Sequence, residues 1–378
     1  MIYAVLLLLA AAWAYQFLAL VSLYRFSRTP PPGPPTATGP GITVFKPLKG
    51  VGPDSRECLA SFLTQAYRPY QVLFGVRDPQ DPVLDLLGEL RRDYPQGDLE
   101  IVICPEDQGL NPKISTLRQL LPRARHDLLV IADGDVKVDP DYLARVAAAF
   151  REPGVGLVSC PYRAGRSRTV GAGLEALTIA ADFIPSVGAA LAVEEIRFAL
   201  GAAMALSREA LNASGGLAPL ADFLADDYQL GFRVAQTGLA VKILPYVVET
   251  HNPEMGFAAY LGHQLRWART YRVCRPGGYL AYGITHALVY SLAVVAAAPR
   301  ASWAWGLLAA TLALRGTVAL VSEKLCLKGN LPLWVLGLLP FKDLLAGGLW
   351  LSSFLGNRVS WGERTYRVTK EGKLLPQD

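Results

Sequence analysis

Hydrophobic positions divide the chain into a central region of short alternating elements and long apolar runs on either side. The first run, Ile2–Tyr24, is almost wholly apolar apart from Gln16, and it is long enough to span a bilayer. Arg25 and Arg28 follow at once, so the positive-inside rule places the next segment in the cytoplasm. Because no basic region precedes this run, we predict a transmembrane helix rather than a cleaved signal peptide.

The central region predicts an α/β domain. Thr29–Gly41 is rich in Pro and Gly and predicts a semi-rigid linker. Beyond it, strand-like and helical stretches alternate, and this βαβ rhythm predicts a mostly parallel sheet. The predicted strands are Ile42–Phe45, Gln71–Val76, Leu99–Cys104, Leu128–Ala132, Gly156–Cys160 and Val241–Pro245, and the predicted helices include Arg56–Gln65, Val83–Tyr94 and Tyr228–Gln236.

Four further apolar stretches point to a membrane. Gly171–Val193 is interrupted by charged side chains and a proline, so it lies either at the membrane interface or as a buried helical pair. Leu280–Ala298 and Ser302–Val321 predict transmembrane helices. The residues after Asn357 are basic and favour the cytoplasm, so we predict that Leu331–Leu355 is bent or re-entrant and returns to that side.

We therefore predict a transmembrane helix (1–28), a linker (29–41), a catalytic domain with interfacial helices (42–276), membrane helices (277–357) and a basic cytoplasmic tail (358–378). A hydrophobic fraction of 52% and a mean hydropathy of +0.26 agree with an integral membrane protein. Much of the net charge of +5 lies beside the apolar runs, which suits an anionic membrane surface and excludes nucleic acid as a partner. The five cysteines include no CxxC pair, which argues against disulfides and structural zinc.

The most informative motif is Asp133-Gly134-Asp135, which ends the apolar run Leu128–Ala132. Open α/β sheets bind ligands at the carboxyl ends of their strands. Two acids one residue apart can reach one hard cation, and oxygen ligands suit a Mg²⁺ or Mn²⁺ ion that carries a diphosphate. The alternative interpretation is an acidic turn without a ligand.

Other charged residues also follow predicted strands or begin helices. Asp78 and Asp81 follow the second strand, where they either accept hydrogen bonds from a uracil or ribose or belong to a Pro-rich turn. Lys113 follows the third strand, whose end we expect beside that of the Asp133 strand, so that its ammonium meets a phosphate or the donor sugar. Asp226 and Asp227 begin a helix; either both serve the helix terminus, or one caps it while the other is a general base.

A helix near residue 263 carries the last candidate group. His263, Arg266 and Trp267 share one helical face by their spacing. The guanidinium can hold a leaving diphosphate, and the indole can wall an acceptor pocket. The alternative is an amphipathic helix that rests its basic side chains on lipid headgroups.

As an ordered set, these residues resemble the Asp, Asp, Asp, (Q/R)xxRW pattern of family-2-type glycosyltransferases with a GT-A fold. The chain more closely resembles ceramide glucosyltransferases (family 2/21 type) and bacterial relatives that glycosylate hopanoid lipids. The motifs that carry this resemblance are FKPLKGV (Phe45–Val51), VRDPQDP (Val76–Pro82), LNPKISTL (Leu110–Leu117), the Asp133 strand, GLxxxxxxxADDY (Gly216–Tyr228), HQLRW (His263–Trp267) and SWGERTYRV (Ser360–Val368). It implies a Rossmann-like, mostly parallel GT-A domain.

The resemblance also implies residue roles. A divalent metal is held by Asp135 together with Asp133, and Asp227 deprotonates the acceptor hydroxyl. Arg266 stabilises the departing UDP, and Trp267 completes the motif, although His263 stands where the family usually has Gln or Arg. The implied donor-binding residues are Lys46, Pro47, Asp78, Asp81, Lys113, Asp133, Asp226 and His263.

From this resemblance we expect an integral membrane protein of the bacterial inner-membrane type with a cytoplasmic catalytic domain. Its expected activity is inverting transfer of a sugar, glucose in the first instance, from a UDP-sugar to the primary hydroxyl of ceramide, a membrane lipid. One alternative is N-acetylglucosaminyl transfer to a hopanoid polyol. Another is a lipid-binding scaffold with an inactive GT-A domain, against which the retained acids and Arg266 argue.

Overall fold

Thirteen strands appear in the part of the chain that the computed structural model describes, residues 2–33, 36–361 and 364–377. They are β1 (Thr38–Leu48), β2 (Arg68–Val76), β3 (Leu99–Ile103), β4 (Leu128–Ala132), β5 (Val136–Lys137), β6 (Val155–Ser159), β7 (Tyr162–Ala164), β8 (Ala203–Ser207), β9 (Ala240–Ile243), β10 (Val248–Thr250), β11 (Arg358–Trp361), β12 (Arg364–Val368) and β13 (Leu374–Pro376).

The α-helices follow the strands in alternation and then dominate after residue 257. They are α1 (Ile2–Arg28), α2 (Ser55–Ser61), α3 (Val83–Asp93), α4 (Pro112–Leu120), α5 (Tyr142–Ala149), α6 (Val170–Thr178), α7 (Ile184–Val193), α8 (Arg208–Ala213), α9 (Asp226–Gln236), α10 (Phe257–Cys274), α11 (Pro276–Tyr282), α12 (Ala287–Ala297), α13 (Ser302–Val321), α14 (Leu333–Gly337) and α15 (Leu339–Ser353).

A seven-stranded sheet in the order β3-β2-β1-β4-β8-β6-β9 forms the centre of the catalytic domain. The first four strands are parallel, as the βαβ rhythm predicted, whereas β8 is antiparallel to both of its neighbours. Every residue of β4 is buried, because helices cover both faces of the sheet. Since β2 and β1 separate β3 from β4, the expectation that the ends of β3 and β4 are neighbours was wrong.

Two smaller sheets complete the domain. The order β5-β10-β7 places one of them directly after the Asp133 turn. The antiparallel sheet β11-β12-β13 occupies the region predicted as a basic cytoplasmic tail, whose location stays a prediction. Buried apolar side chains on alternate positions hold this sheet against the domain, a period that the basic residues between them concealed. These side chains are Leu224, Val359, Tyr366, Val368 and Leu374. The predicted linker also ends early, since β1 begins at Thr38.

Three helices, within the described residues, are each long and apolar enough to span a membrane: α1, the Val170–Val193 helix and the Ser302–Cys326 helix. The pair Pro276–Thr285 and Ala287–Ala297, bent by 50°, also passes this test as one span. The Val170–Val193 helix, however, follows β7 and precedes β8, and both strands belong to the same domain. A single crossing would separate these strands, and 61% of the apolar window of this helix is buried inside the protein. Its position at a membrane interface stays a prediction.

The region predicted as re-entrant forms α14 and α15. The segment before them is held by Arg163, whose guanidinium donates to Leu327 O at 2.8 Å. The segment after them is held by Arg272, which donates to Gly356 O at 3.0 Å. Both ends of 331–355 therefore contact the catalytic domain, and the re-entrant path of this segment in a membrane stays a prediction.

A buried network of four charges joins the membrane helices to the catalytic domain. Arg315 of α13 donates to both carboxylate oxygens of Asp343 at 2.8 and 2.7 Å and to Asp182 at 2.7 Å. Lys342 Nζ lies 2.6 Å from an oxygen of each of these carboxylates. Two cations therefore face two anions, which is the balance that buried charges require. Asp182 belongs to a π-helical turn between α6 and α7, so the network fixes that turn.

Candidate active site

The Asp133-Gly134-Asp135 turn is supported from below by a buried lysine. Lys46 is fully buried in β1, and its ammonium donates to Asp133 O at 2.6 Å and to Val136 O at 3.2 Å. Burial lowers the pKa of Lys46 to about 8. An enclosed Lys46 holds the turn in place, so any contribution to nucleotide binding passes through the turn rather than through direct contact.

Lys113 connects the turn to the helix that carries the paired acids. Its ammonium lies 2.6 Å from Asp133 Oδ1 and 3.7 Å from Asp226 Oδ2, and it donates to Gly201 O at 3.2 Å. Asn111, fully buried, caps α4 and donates to Asp226 Oδ1 at 3.3 Å. The start of α4 therefore reaches Asp133 from β3 even though the two strands are not neighbours.

Asp227 lies beside this lysine at the start of α9. Its Oδ1 accepts a hydrogen bond from Tyr228 N at 2.7 Å, and neither it nor Asp226 caps the helix, whose N-cap is Ala225. A Cβ on Gly201 would lie 2.6 Å from Asp227 Oδ2, so only glycine leaves room for this carboxylate.

Three carboxyl groups at the site, those of Asp135, Asp226 and Asp227, have pKa values that desolvation raises. Desolvation and the charge of Asp226 raise the pKa of Asp227 to about 6, although Lys113 opposes them. Desolvation by the surrounding protein and the charge of Asp133 raise the pKa of Asp135 to about 6. A carboxylate with a pKa near 6 is a stronger base than an ordinary aspartate and is still mostly ionised at neutral pH.

The predicted face of α10 contacts the interfacial helix α6. His263 Nδ1 lies 3.0 Å from Glu175 Oε1, and the rings of His263 and Trp267 are 4.8 Å apart. Trp267 also packs on Phe183 at 5.6 Å, which fixes the indole against the π-helical turn. Among the described residues, the Arg266 guanidinium makes no hydrogen bond or ion pair. Its positive charge is attracted by the nearby carboxylates of Glu175 and the aspartates of the site.

The residues predicted to bind uracil lie at the same edge of the sheet. Asp81 accepts hydrogen bonds from Gly50 N at 3.0 and 2.8 Å, so it fixes the loop after β1. Pro47, half-buried at the end of β1, pairs with Gly75 of β2. Asp78 is exposed and closes its own turn. Their contact with a nucleotide stays a prediction.

The donor set fits a divalent metal bound together with a diphosphate. No cluster of three or more His, Cys, Asp or Glu side chains that could hold a metal occurs in residues 2–33, 36–361 and 364–377. Asp135, however, is exposed, and its carboxylate has no partner side chain within that part of the chain. Mg²⁺ commonly takes one or two carboxylates and completes its shell with substrate phosphate and water. Asp133 offers a second oxygen, because Lys113 occupies only Oδ1.

The C-terminal sheet fastens the loops that carry these groups. Leu374 N donates to Asp222 O at 2.7 Å, and the carboxylate of Asp222 accepts from Leu110 N at 3.0 Å. Tyr366 packs in the same cluster as Leu374. The loop before Asp226 and the loop before Lys113 are thus held together by β13. The motif SWGERTYRV belongs to the same sheet at residues 360–361 and 364–368, while 362–363 lie outside the described residues.

Three residues that support the site escaped sequence analysis. Glu175 interrupts an apolar run and accepts from Gln264 at 2.8 Å, so it holds α10 in register. Gly201 leaves room for the Asp227 carboxylate, and Asn111 acts through hydrogen bonds. Neither residue carries a charge. The available signals were a lone acid in an apolar helix and an Asn-Pro helix start, neither of which indicates a partner.

Comparison with solved structures identifies the fold. A mannosyltransferase from Pyrobaculum calidifontis, solved in complex with GDP-Man and Mn²⁺, has a TM-score of 0.56 at 21% identity and covers 94% of this chain and 98% of its own. The similarity, together with the sheet order, shows a GT-A fold, as expected from the sequence.

The family is shown by the sequence itself. Residues 4–374 match the model of Glycosyl transferase family 21, and the chain belongs to that family. Ceramide glucosyltransferases 3 and 1 of Caenorhabditis elegans are 25% and 23% identical to it, covering 61% and 66% of this chain and 50% and 53% of theirs. The ceramide glucosyltransferase of Komagataella phaffii is 29% identical over 44% of this chain and 34% of its own. The chain thus spans about half the length of the two nematode relatives.

Proposed function

We propose that this glycosyltransferase moves glucose from UDP-glucose to the primary hydroxyl of ceramide with inversion at the anomeric carbon. The observation that carries the proposal is a carboxylate, Asp227, with a pKa of about 6 beside the two cations Lys113 and Arg266. The names of the relatives support ceramide and glucose as substrates. Arg25 and Arg28 at the end of α1 support a cytoplasmic catalytic domain.

The residues suggest a single displacement. Asp227 takes the proton of the acceptor hydroxyl as its oxygen bonds to the anomeric carbon. The bond between that carbon and the diphosphate breaks in the same step, and its electron pair leaves with UDP. Arg266 and Lys113 pair with the charge that develops on the departing phosphate. One displacement on an α-linked donor gives a β-linked glycolipid.

Asp135, with Asp133, would hold a divalent metal, which supplies charge neutralisation for the diphosphate. The need for it follows from the local charge, since Asp133, Asp135 and the two acids of α9 outnumber the nearby cations. An unaccompanied diphosphate would be repelled from such a site. Asp81 with Asp78 and Pro47 would form the uracil side, and Lys46 would hold the metal-binding turn.

The test is a transfer assay on the full chain in phosphatidylcholine nanodiscs with UDP-glucose and ceramide. We expect Asp227→Asn, which removes the base but keeps its shape, to lower kcat by about 10²- to 10⁴-fold. Asp127→Asn is the matched control, because its carboxylate is 90% exposed and pairs only with Arg208. NMR of the product should show a β-linkage. Unchanged transfer by Asp227→Asn, or an α-linked product, contradicts the mechanism.

Donor and acceptor competition separates the alternatives. UDP-N-acetylglucosamine with a hopanoid polyol should give little product, because the relatives reported above are named for ceramide. Chelation with EDTA should abolish transfer, and Mg²⁺ and Mn²⁺ should each be tried for recovery. Binding of ceramide without transfer from any donor would favour the scaffold.

A further inference from the structure

A cleft of about 310 Å³ opens beside the first turns of α9. One wall is charged and consists of Glu194, Glu195, Arg197 and Arg275. The other wall is aromatic and includes Tyr228 and Phe232, whose rings are stacked 6.2 Å apart. Neither wall carries a residue used above for the donor.

Tyr228 of the aromatic wall is the residue next to Asp227 in the chain. Tyr228 N donates to Asp227 Oδ1 at 2.7 Å, and the Tyr228 hydroxyl donates to Cys274 O at 3.3 Å. The loop of the charged wall runs on to Gly201, which lies against the other oxygen of Asp227. Asp227 itself does not line the cleft, but it lies one residue from the aromatic wall and against Gly201, four residues beyond Arg197 of the charged wall.

Exposed apolar side chains of α7 and α11 lie next to the charged wall of the cleft. Val193 ends α7 beside Glu194 and is 68% exposed, and Leu280 of α11 is 63% exposed. Helix α11 leads into α12 through the 50° bend of the candidate span. Exposed apolar side chains at this position are expected where a surface meets lipid.

We propose that this cleft binds the polar headgroup of the acceptor lipid and leads its primary hydroxyl from the membrane surface to Asp227. The proposal rests on the proposed function and adds the place where the acceptor binds. Glu194 and Arg275 form a two-point ion pair at 2.6 and 2.6 Å, which closes one end of the cleft.

The charge of the cleft indicates the class of headgroup. Two glutamates and two arginines balance, so the cleft has no excess of positive charge to bind a phosphate. Their donors and acceptors suit an uncharged headgroup with hydroxyl and amide groups. The stacked rings of Tyr228 and Phe232 provide apolar surface for the first carbons of the lipid chain.

The kinetic test narrows the cleft from its exposed rim. Glu195→Trp should raise the KM for ceramide at least tenfold while the KM for UDP-glucose stays within twofold, since Glu195 is 74% exposed and lies away from the donor residues. Glu209→Trp, an exposed glutamate on α8, is the matched control and should change neither constant. An unchanged ceramide KM in Glu195→Trp overturns the proposal.

A second measurement does not depend on turnover. A photoreactive benzoylphenylalanine at position 195 should crosslink to ceramide in phosphatidylcholine nanodiscs, whereas the same group at position 209 should not. Crosslinking to phosphatidylcholine alone, or to no lipid, overturns the proposal. If ceramide crosslinks at position 195 but the wild-type chain transfers no sugar to it, the cleft assignment stands and the proposed function fails.

Discussion

Replacing Lys113 with methionine tests how the site sets the strength of its base. The ammonium lies 3.7 Å from Asp226 Oδ2, and Asp227 is the next residue. At an effective dielectric constant of about 20, a charge pair at that distance is worth about 4 kcal/mol. The Asp227 carboxylate interacts with the ammonium at longer range, so we expect an interaction energy of about 1 to 3 kcal/mol, which corresponds to a shift of about one to two pKa units.

The expected direction follows from the charge. Lys113 lowers the pKa of Asp227, which now stands at about 6, so its removal raises that pKa. The base works in its ionised form, and therefore activity should begin at higher pH in the variant. With a rise of two units, the ionised fraction at pH 7 falls from about 90% to about 10%, and it returns near pH 9.

The assay is the pH dependence of kcat at saturating UDP-glucose, so that weaker donor binding does not enter. Lys113→Arg keeps the charge and should retain the wild-type acidic limb. Lys242→Met is the matched control, because that lysine pairs with Glu152 at the exposed edge of the domain. An acidic limb that stays near pH 6 in Lys113→Met would show that Asp227 does not control this part of the profile.

Three further changes test other parts of the structure. Gly201→Ala should lower kcat at least tenfold without unfolding the domain, because its Cβ would lie 2.6 Å from the catalytic carboxylate, whereas Gly277→Ala has open space and should be neutral in the same transfer assay. Leu374→Asp should abolish transfer and lower Tm, because this side chain is 1% exposed, whereas Leu375→Asp at 48% exposure should be tolerated in both measurements. Lys342→Met should destabilise the chain by about 3 kcal/mol, measured by thermal unfolding in detergent, because it leaves two buried carboxylates with a single cation; an unchanged Tm would contradict the balanced network.

Periodicity and strand ends predicted much of the catalytic domain. The four parallel strands fall where apolar runs stop at polar residues, and the run Leu128–Ala132 matches β4 at both ends. The Asp133 turn, Lys113 and Asp227 were predicted near one another, and the structure brings them together. Local sequence was sufficient for the Asp133 turn, because the carboxyl ends of parallel strands share one edge of a sheet. Lys113 reaches Asp133 from the start of α4 rather than from a neighbouring strand, and Asp227 comes from the start of α9.

Long-range pairing was not predictable in this way. The antiparallel strand β8 and the C-terminal sheet depend on partners far away in sequence, and no local pattern specifies them. Lys46 illustrates a further limit: the resemblance implied that it binds the donor, yet its ammonium is enclosed and donates to backbone carbonyls. Side-chain direction within a buried strand is set by packing, which composition does not reveal.

The position of β13 has a consequence for biogenesis. The sheet that holds the loops before Asp226 and Lys113 lies after the membrane helices in the chain, while its partners lie before them. The stabilising strands are therefore synthesised after the candidate membrane spans, the bent pair Pro276–Thr285 and Ala287–Ala297 and the helix Ser302–Cys326. A hairpin that inserts with one crossing instead of two leaves β13 on the opposite side, and the catalytic loops then have no support. Correct membrane insertion is therefore required for an assembled active site. A chain inserted in the wrong topology is expected to be inactive, because β13 and the catalytic loops then lie on opposite sides of the membrane.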